Sequence, residues 1–303
     1  MHGLIVSIGE PMIEFNQDRS DPTHYLQGYG GDTSNFCVAV ARQGGKVAFV
    51  TRLGDDGFGR QFLKLWEREG VDVSGVSTDG RAPTAVYFVT HSDTGHAFSY
   101  LRAGSAAAGL APANLPTSLL EKANYLHVSG ITQAISVTAC DAVFAAIAQV
   151  RGQGGRVFYD PNFRPALWPL ARARAIVDAT LRDVDVLMPS LEDAQALTGL
   201  VEPDAIVDHY LARGVATVCL KLGARGVLLA HAGVRTRLEG HTVKSVDATG
   251  AGDCFDGSFM ARIAAGDSPE AAARYANAAA ALATTGFGAV APIPTPDAVA
   301  ALL

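Results

Sequence analysis

Ser245-Val246-Asp247-Ala248-Thr249-Gly250-Ala251-Gly252-Asp253 runs directly into a helical pattern over 251–265. Two glycines spaced by one residue let the backbone turn sharply and let a ligand approach the peptide N–H groups. Those groups open a helix, where unpaired donors and the macrodipole favour an anion. Asp253 can serve such a turn in two ways. It is either an N-terminal acid capping the helix, or a carboxylate beside an anion hole that accepts a hydroxyl proton as that oxygen attacks phosphorus. Phosphoryl transfer needs this pairing of donors for the moving charge and an acceptor for the nucleophile. Gly250, Ala251, Gly252 and Asp253 are therefore the catalytic candidates.

Upstream of this turn, short β-branched apolar runs alternate with longer helical patterns. Residues 4–8, 47–51, 125–129, 157–159, 184–188, 217–220 and 227–230 read as strands, several of them continuously apolar. Such runs suit strands covered on both faces. Helical patterns occupy 34–43, 59–69, 137–150, 172–181, 191–197 and 205–212, and the C-terminal third adds 251–265, 269–284 and 296–303. The alternation predicts an α/β fold, a doubly wound and mostly parallel sheet flanked by helices. Two stretches, 12–29 and 84–102, lack helical periodicity. The second alternates as a hairpin turning at Asp93-Thr94-Gly95. Both are expected to form a small β lid inserted into one domain spanning 1–303.

The composition excludes several functions. Of 303 residues, 49% are apolar and 18% charged, as in a globular enzyme. Lys and Arg number 24 against 30 Asp and Glu, giving −6 without a basic stripe, so nucleic acid is not an expected partner. No apolar run approaches the roughly 18–20 residues that span a bilayer. The start, Met1 to Glu10, lacks the charged region of a secretory leader. Cys37, Cys140, Cys219 and Cys254 show neither CxxC nor metal spacing, which suits reduced structural thiols in the cytoplasm. Trp66 and Trp168 read as packing residues, and Asp55-Asp56 as a turn and helix cap.

Two further segments carry polar chemistry. Gly30-Gly31-Asp32-Thr33-Ser34-Asn35 is either a glycine turn with Asp32 or Thr33 as N-cap, or a site where Gly31 admits a polyhydroxylated ligand to Asp32 and Asn35. Lys221-Leu222-Gly223-Ala224-Arg225-Gly226 is either a hairpin turn or a glycine backbone along which a nucleotide packs. Neither a GxGxxG dinucleotide fingerprint after a strand nor a GxxxxGK[ST] phosphate loop is present, which disfavours a nicotinamide dehydrogenase.

In this order, the three segments resemble the PfkB (ribokinase-like) carbohydrate kinases across essentially the whole chain. The early signature runs from Gly30 through Gly54-Asp55-Asp56-Gly57-Phe58-Gly59, and the late one is Asp247 to Asp253. Ala248 stands where Thr is more usual in that family. Within it the chain looks most like the 2-keto-3-deoxygluconate kinases. The pointers are Tyr87, Tyr100-Leu101-Arg102-Ala103-Gly104-Ser105 and Asp160-Pro161-Asn162-Phe163-Arg164-Pro165.

The resemblance implies that Gly31, Asp32, Asn35, Tyr87, Tyr100, Arg102, Arg164 and Asp253 meet the sugar. Guanidinium groups would recognise a sugar-acid carboxylate through charge-assisted hydrogen bonds. Asn162, Arg164, Ser190, Lys221, Gly223, Gly226, Gly250, Gly252 and Asn277 would contact ATP, with Asn277 finding its partner in the ligand. The family's Asn-x-x-Glu motif falls on Ser190 and Asp193, so Asp193 or Glu192 would serve Mg2+ through water. Asp247 and Thr249 would hold K+. The implied reaction is MgATP-dependent phosphorylation of a sugar acid, with a homo-oligomer formed through the lid and exposed Val86 and Phe88 seeking cover there. The alternatives are a kinase for a neutral sugar or nucleoside, and a non-catalytic sugar-binding regulator on the same fold.

Overall fold

The structure is a computed structural model that describes residues 3–92 and 95–303. Asp93 and Thr94 of the expected turn lie outside the described residues, as do Met1 and His2. In chain order the strands are β1 (Ile5–Ile8), β2 (Met12–Gln17), β3 (Tyr25–Gly30), β4 (Val47–Gly54), β5 (Asp72–Asp79), β6 (Ala85–Ser92) and β7 (Gly95–Leu101). They continue as β8 (Tyr125–Ser129), β9 (Arg156–Asp160), β10 (Val186–Leu187), β11 (Thr217–Lys221), β12 (Val227–His231) and β13 (Val234–Leu238). The helices are α1 (Asp32–Arg42), α2 (Gly57–Glu69), α3 (Thr117–Leu120), α4 (Gly130–Ile135), α5 (Val137–Arg151) and α6 (Leu170–Leu181). After them come α7 (Leu191–Thr198), α8 (Pro203–Leu211), α9 (Ala251–Ala265), α10 (Pro269–Ala283) and α11 (Pro296–Leu302).

The strands form a large sheet in the order β13-β12-β11-β10-β9-β8-β1-β4-β5 and a small one in the order β3-β2-β6-β7. The large sheet is parallel from β5 to β11, and β12 pairs antiparallel with both neighbours. Alternation along each strand feeds two cores. Val6 and Ile8 face Val143, Val177 and Ile206 of α5, α6 and α8. Ile5 and Phe49 face Phe36, Trp66 and Phe259 of α1, α2 and α9. Strand order reverses beside β1, and in open α/β sheets ligands bind past the carboxyl ends at such a switch point. Glu10, Ser129, Asp160, Ser190 and Lys221 all sit at or just beyond those ends.

Local capping decides between the two readings at two helices. α1 starts at Gly31, whose φ of 93° only glycine adopts easily, so neither Asp32 nor Thr33 is the N-cap. α9 starts at Gly250 with φ 75°, so Asp253 lies one turn in and is free of capping duty. Asp56 and Ser190 do cap α2 and α7, accepting from Gly59 N at 2.8 Å and Asp193 N at 3.0 Å.

In the lid, Tyr87 and Val89 point inward while Val86 and Phe88 are half-buried on the other face. Phe88 stacks on Phe15 at 5.2 Å and meets Tyr25 edge-on at 5.6 Å. This corrects the expectation that Val86 and Phe88 lie bare. Among the described residues, the exposed large apolar side chains of the lid are Tyr25, Leu26, Phe98, Tyr100 and Leu101. No helix of the described residues is long and apolar enough to cross a membrane.

Candidate active site

The glycine turn and α9 place Asp253 at the meeting point of two compartments. Cys254 N–H makes the first helical bond to Gly250 O at 2.9 Å, and Ala251 N–H is drawn to Ala248 O at 3.2 Å. Gly252 and Asp253 N–H belong to the first turn, where no preceding turn supplies an acceptor. They are the donors left wholly free for an anion, while Ala251 N–H is shared with Ala248 O. Gly250 is required by its positive φ and by Ala289, 2.9 Å from where its Cβ would stand. Gly252 is different. Its nearest neighbour would be Lys221 Nζ at 3.5 Å, so the protein itself leaves that face open.

On one side of the turn lies a cavity of about 510 Å³, whose lining includes Lys221, Gly223, Gly226, Gly252 and Asn277. Five residues expected to contact a nucleotide therefore come together. Asn277 needs no ligand for its amide, which donates to Glu239 O at 2.7 Å. Ser190 lies outside this lining and spends its hydroxyl on the α7 cap. Lys221 Nζ stands 3.0 Å from Asp160 Oδ2 and 3.0 Å from both oxygens of Asp256.

On the other side, α1 and the lid supply polar groups. Asn35 Nδ2 donates to Asp253 Oδ2 at 2.8 Å. Asp32 accepts from Ser129 Oγ and from Asn162 Nδ2. Tyr87 donates its hydroxyl to Glu14, and Arg102 pairs with Glu10, which also accepts from Ser105 Oγ at 2.9 Å. Tyr100 lies under the Arg102 guanidinium at 5.5 Å and beside Tyr87 at 5.8 Å. Asp32 Oδ1, Asn35 Oδ1 and Arg102 Nε are buried without a hydrogen-bond partner among the described residues. Buried polar atoms normally find partners, so three orphans in one region mark where ligand hydroxyls and oxygens belong.

Arg164 is half-exposed, 3.9 Å from Asp193 Oδ1, and donates to Phe163 O at 3.0 Å. Asp193 faces this region and Glu192 faces away, so Asp193 is the better placed of the two expected metal carboxylates. Both oxygens of Asp247 have partners, Thr249 N and Oγ1 on Oδ1 and Gly288 N on Oδ2. In this state Asp247 and Thr249 therefore clamp their own loop. A larger cavity of about 710 Å³ lies beneath β3 and residues 287–291, sharing only Glu14 with the acceptor side described above.

The electrostatics fit a proton acceptor. Burial, then the negative charge of Asp32, pushes Asp253 up to about 7, while the Asn35 hydrogen bond and Lys221 hold it back. Burial and the charge of Asp160 push Asp193 up to about 6. Asp253 thus sits near neutrality, where a general base works best. Sequence reasoning missed Glu10, Glu14, Ser129 and Asp256, and it quoted Asp160 without a role. Asp256 alone had a readable signal, lying one turn from Asp253 on α9.

Comparison with known proteins agrees with this geometry. Residues 3–296 match the pfkB family of carbohydrate kinases. The chain is 37% identical over 287 residues to 2-dehydro-3-deoxygluconokinase of Thermoproteus tenax, covering 92% of this chain and 87% of that protein. It is 33% identical to probable fructokinase-5 of Arabidopsis thaliana, covering 97% and 95% of the two chains. A putative ribokinase II from E. coli, crystallised with ATP and Mg2+, superposes with a TM-score of 0.92 at 27% identity, covering 99% of this chain and 98% of that one. The doubly wound sheet with its small second sheet is thus shared with that structure, and the match over residues 3–296 shows that the chain belongs to the pfkB family of carbohydrate kinases.

Proposed function

We propose that this sugar kinase transfers the γ-phosphoryl group of MgATP to the primary hydroxyl of 2-keto-3-deoxygluconate, giving the 6-phosphate. One observation carries the reading. Asp253 stands between the cavity lined by Lys221 and Gly252 and the acceptor side with its three orphaned polar atoms. The sugar hydroxyl gives its proton to Asp253 as its oxygen bonds to phosphorus and the bond to the leaving ADP oxygen breaks. Gly252 and Asp253 N–H stabilise the charge on the moving group, and Arg164 helps. Closure of the lid excludes water, which otherwise competes as acceptor.

The residues fit magnesium that arrives with the nucleotide. Among the described residues no three His, Cys, Asp or Glu converge into a metal shell, and Asp193 offers a single carboxylate. Bound magnesium supplies charge neutralisation across the phosphates. A K+ ion could be held at Asp247 and Thr249 by further lone pairs on their oxygens, since an oxygen that accepts one hydrogen bond, as Asp247 Oδ2 does from Gly288 N, carries more than one.

The acid preference rests on Arg102 and Arg164 and on the Thermoproteus relative. A second reading, a neutral sugar such as fructose, is favoured by the Arg102–Glu10 pair, since a guanidinium already matched by a carboxylate selects weakly for charge. Exposed Leu26, Phe98 and Leu101 support association through the lid. Four buried, unpaired cysteines support a reducing, cytoplasmic setting. The test is ADP release at fixed MgATP with 2-keto-3-deoxygluconate, fructose, ribose and adenosine in parallel. Clear preference for the keto-deoxy acid is expected, and preference for fructose would move the assignment to the second reading.

A further inference from the structure

A charged cluster lies directly behind the glycine turn. Asp160 is 5% exposed and Asp256 is 1% exposed, and Lys221 Nζ stands 3.0 Å from carboxylate oxygens of both. Buried ion pairs are poor stabilisers, because desolvation costs about as much as the attraction returns. The surroundings, which include Cys219, Phe255 and Phe259, are apolar enough to take a hydrophobic replacement. Burial and the neighbouring Asp160 push the Asp256 carboxyl well above its ordinary range, so retaining an ammonium and two acidic groups here asks for a use.

Position supplies it. Lys221 ends β11, Asp160 ends β9 and Asp256 lies one turn beyond Asp253 on α9. The ammonium is the atom nearest to the open face of Gly252, and Lys221 lines the nucleotide-sized cavity. An ammonium has three N–H directions. Its three contacts at 3.0 Å go to Asp160 Oδ2 and to both oxygens of Asp256, so a ligand in the cavity would meet the ammonium as a charge shared with them. Asp160 uses its other oxygen to accept from Asn162 N at 3.0 Å, and Asn162 Nδ2 reaches Asp32 Oδ2 at 3.0 Å. The cluster thus ties the wall of the nucleotide cavity to the acceptor side.

We infer that Lys221 is a catalytic residue that touches the transferring phosphoryl group at Gly252, and that Asp160 and Asp256 are positioning residues that aim it. The inference rests on the phosphotransfer reading above and adds residues to it. As the bond to the ADP oxygen breaks and the sugar oxygen bonds to phosphorus, the proton goes to Asp253. Lys221 neither gives nor takes one. It supplies a fixed positive charge where negative charge spreads over the phosphoryl oxygens. The opposite charges of Asp160 and Asp256 outweigh burial and keep its ammonium protonated.

The test compares the double variant Lys221→Met/Asp256→Leu, the single variant Asp256→Asn and Asp253→Asn with wild type. The double variant removes the cation and one carboxyl but leaves buried Asp160 without its ammonium, so it should melt below wild type and is assayed at a temperature where it is folded. Its kcat for the preferred sugar should fall about 100-fold or more, the scale of losing a transition-state donor, with sugar KM little changed. Asp256→Asn keeps the side-chain size and should lower kcat about 10-fold with sugar KM within about twofold, the signature of a misaimed group rather than a lost binding contact. A folded double variant, or Asp256→Asn, turning over within about threefold of wild type would overturn the inference. If the double variant fails to fold, Asp256→Asn alone decides by the same criterion. Should Asp253→Asn be inactive while the Lys221 variant works normally, only this inference fails. Full activity in Asp253→Asn, or no sugar turnover by wild type, would instead remove the phosphotransfer reading and the inference with it.

Discussion

Replacing Asn35 by alanine should move the pH dependence of turnover, because Asn35 holds the proton acceptor. Its Nδ2 donates to Asp253 Oδ2 at 2.8 Å, and that bond opposes burial and the charge of Asp32 in fixing Asp253 near 7. A hydrogen bond to a charged group contributes about 1.5–3 kcal/mol, which corresponds to roughly 1–2 pH units of midpoint. In wild type, kcat/KM should rise about tenfold per pH unit below 7 and level off above it. In Asn35→Ala the midpoint should lie at about 8–9, so activity at pH 7 falls about 5- to 50-fold and recovers toward pH 10. Asn35 also offers its orphaned Oδ1 to the acceptor sugar, and losing that contact lowers kcat/KM equally at every pH. The assay is ADP release at subsaturating sugar and saturating MgATP across pH 5.5–10 (about, by the range these midpoints require). A midpoint unchanged from wild type, even with lower activity throughout, would refute the claim that Asn35 tunes Asp253.

Three other predictions follow from the same geometry. Gly252→Ala should fold and melt like wild type, since only Lys221 Nζ comes near the added methyl, yet it should lose nearly all turnover because the methyl enters the anion site; normal activity would show that no ligand approaches there. Arg102→Ala strands Glu10 in the interior, which costs about 3–5 kcal/mol when a buried pair loses one partner, seen as a lower melting temperature. The paired Glu10→Gln/Arg102→Met avoids that cost and should lose a sugar acid more than fructose, read as the ratio of their kcat/KM values. Asp253→Asn should raise stability at pH 8 but not near pH 4. A carboxyl whose folded pKa is raised is most stabilising while protonated, and that stability is lost as pH climbs from about 4 to about 7. The gain at pH 8 should be about 2 kcal/mol, half the full shift because Asp253 is partly exposed to the cleft, measured by urea unfolding at both pH values.

Much of the architecture was readable because its signals are local. Continuous apolar runs such as Leu4-Ile5-Val6 and Val218-Cys219-Leu220 mark strands covered on both sides, and all of the expected large-sheet strands are present. The strands that escaped, β5 and β13, are the two edges of that sheet. Asp72-Val73-Ser74-Gly75-Val76-Ser77-Thr78-Asp79 and Val234-Arg235-Thr236-Arg237-Leu238 are polar because edge strands meet water, so they resemble loops. The glycine turn before Asp253 was legible for the same local reason. Its partners were not, since Arg102 with Glu10 and Lys221 with Asp160 and Asp256 join residues 92, 61 and 35 positions apart. Nothing within one segment announces such a pairing. Because Asp is a common N-cap, the sequence leaves Asp32 and Asp253 open between capping and chemistry; in the structure a glycine with positive φ takes the cap of both α1 and α9.

The central claim is that Asp253 takes the hydroxyl proton during phosphoryl transfer to a sugar. It is tested most directly by measuring ADP release and ADP binding side by side for wild type and Asp253→Asn, each with MgATP and the preferred acceptor. The account predicts that the variant binds ADP about as tightly as wild type while turnover falls by about 100-fold or more, the scale of losing a positioned general base. A variant that binds nucleotide and turns over at the wild-type rate would contradict it.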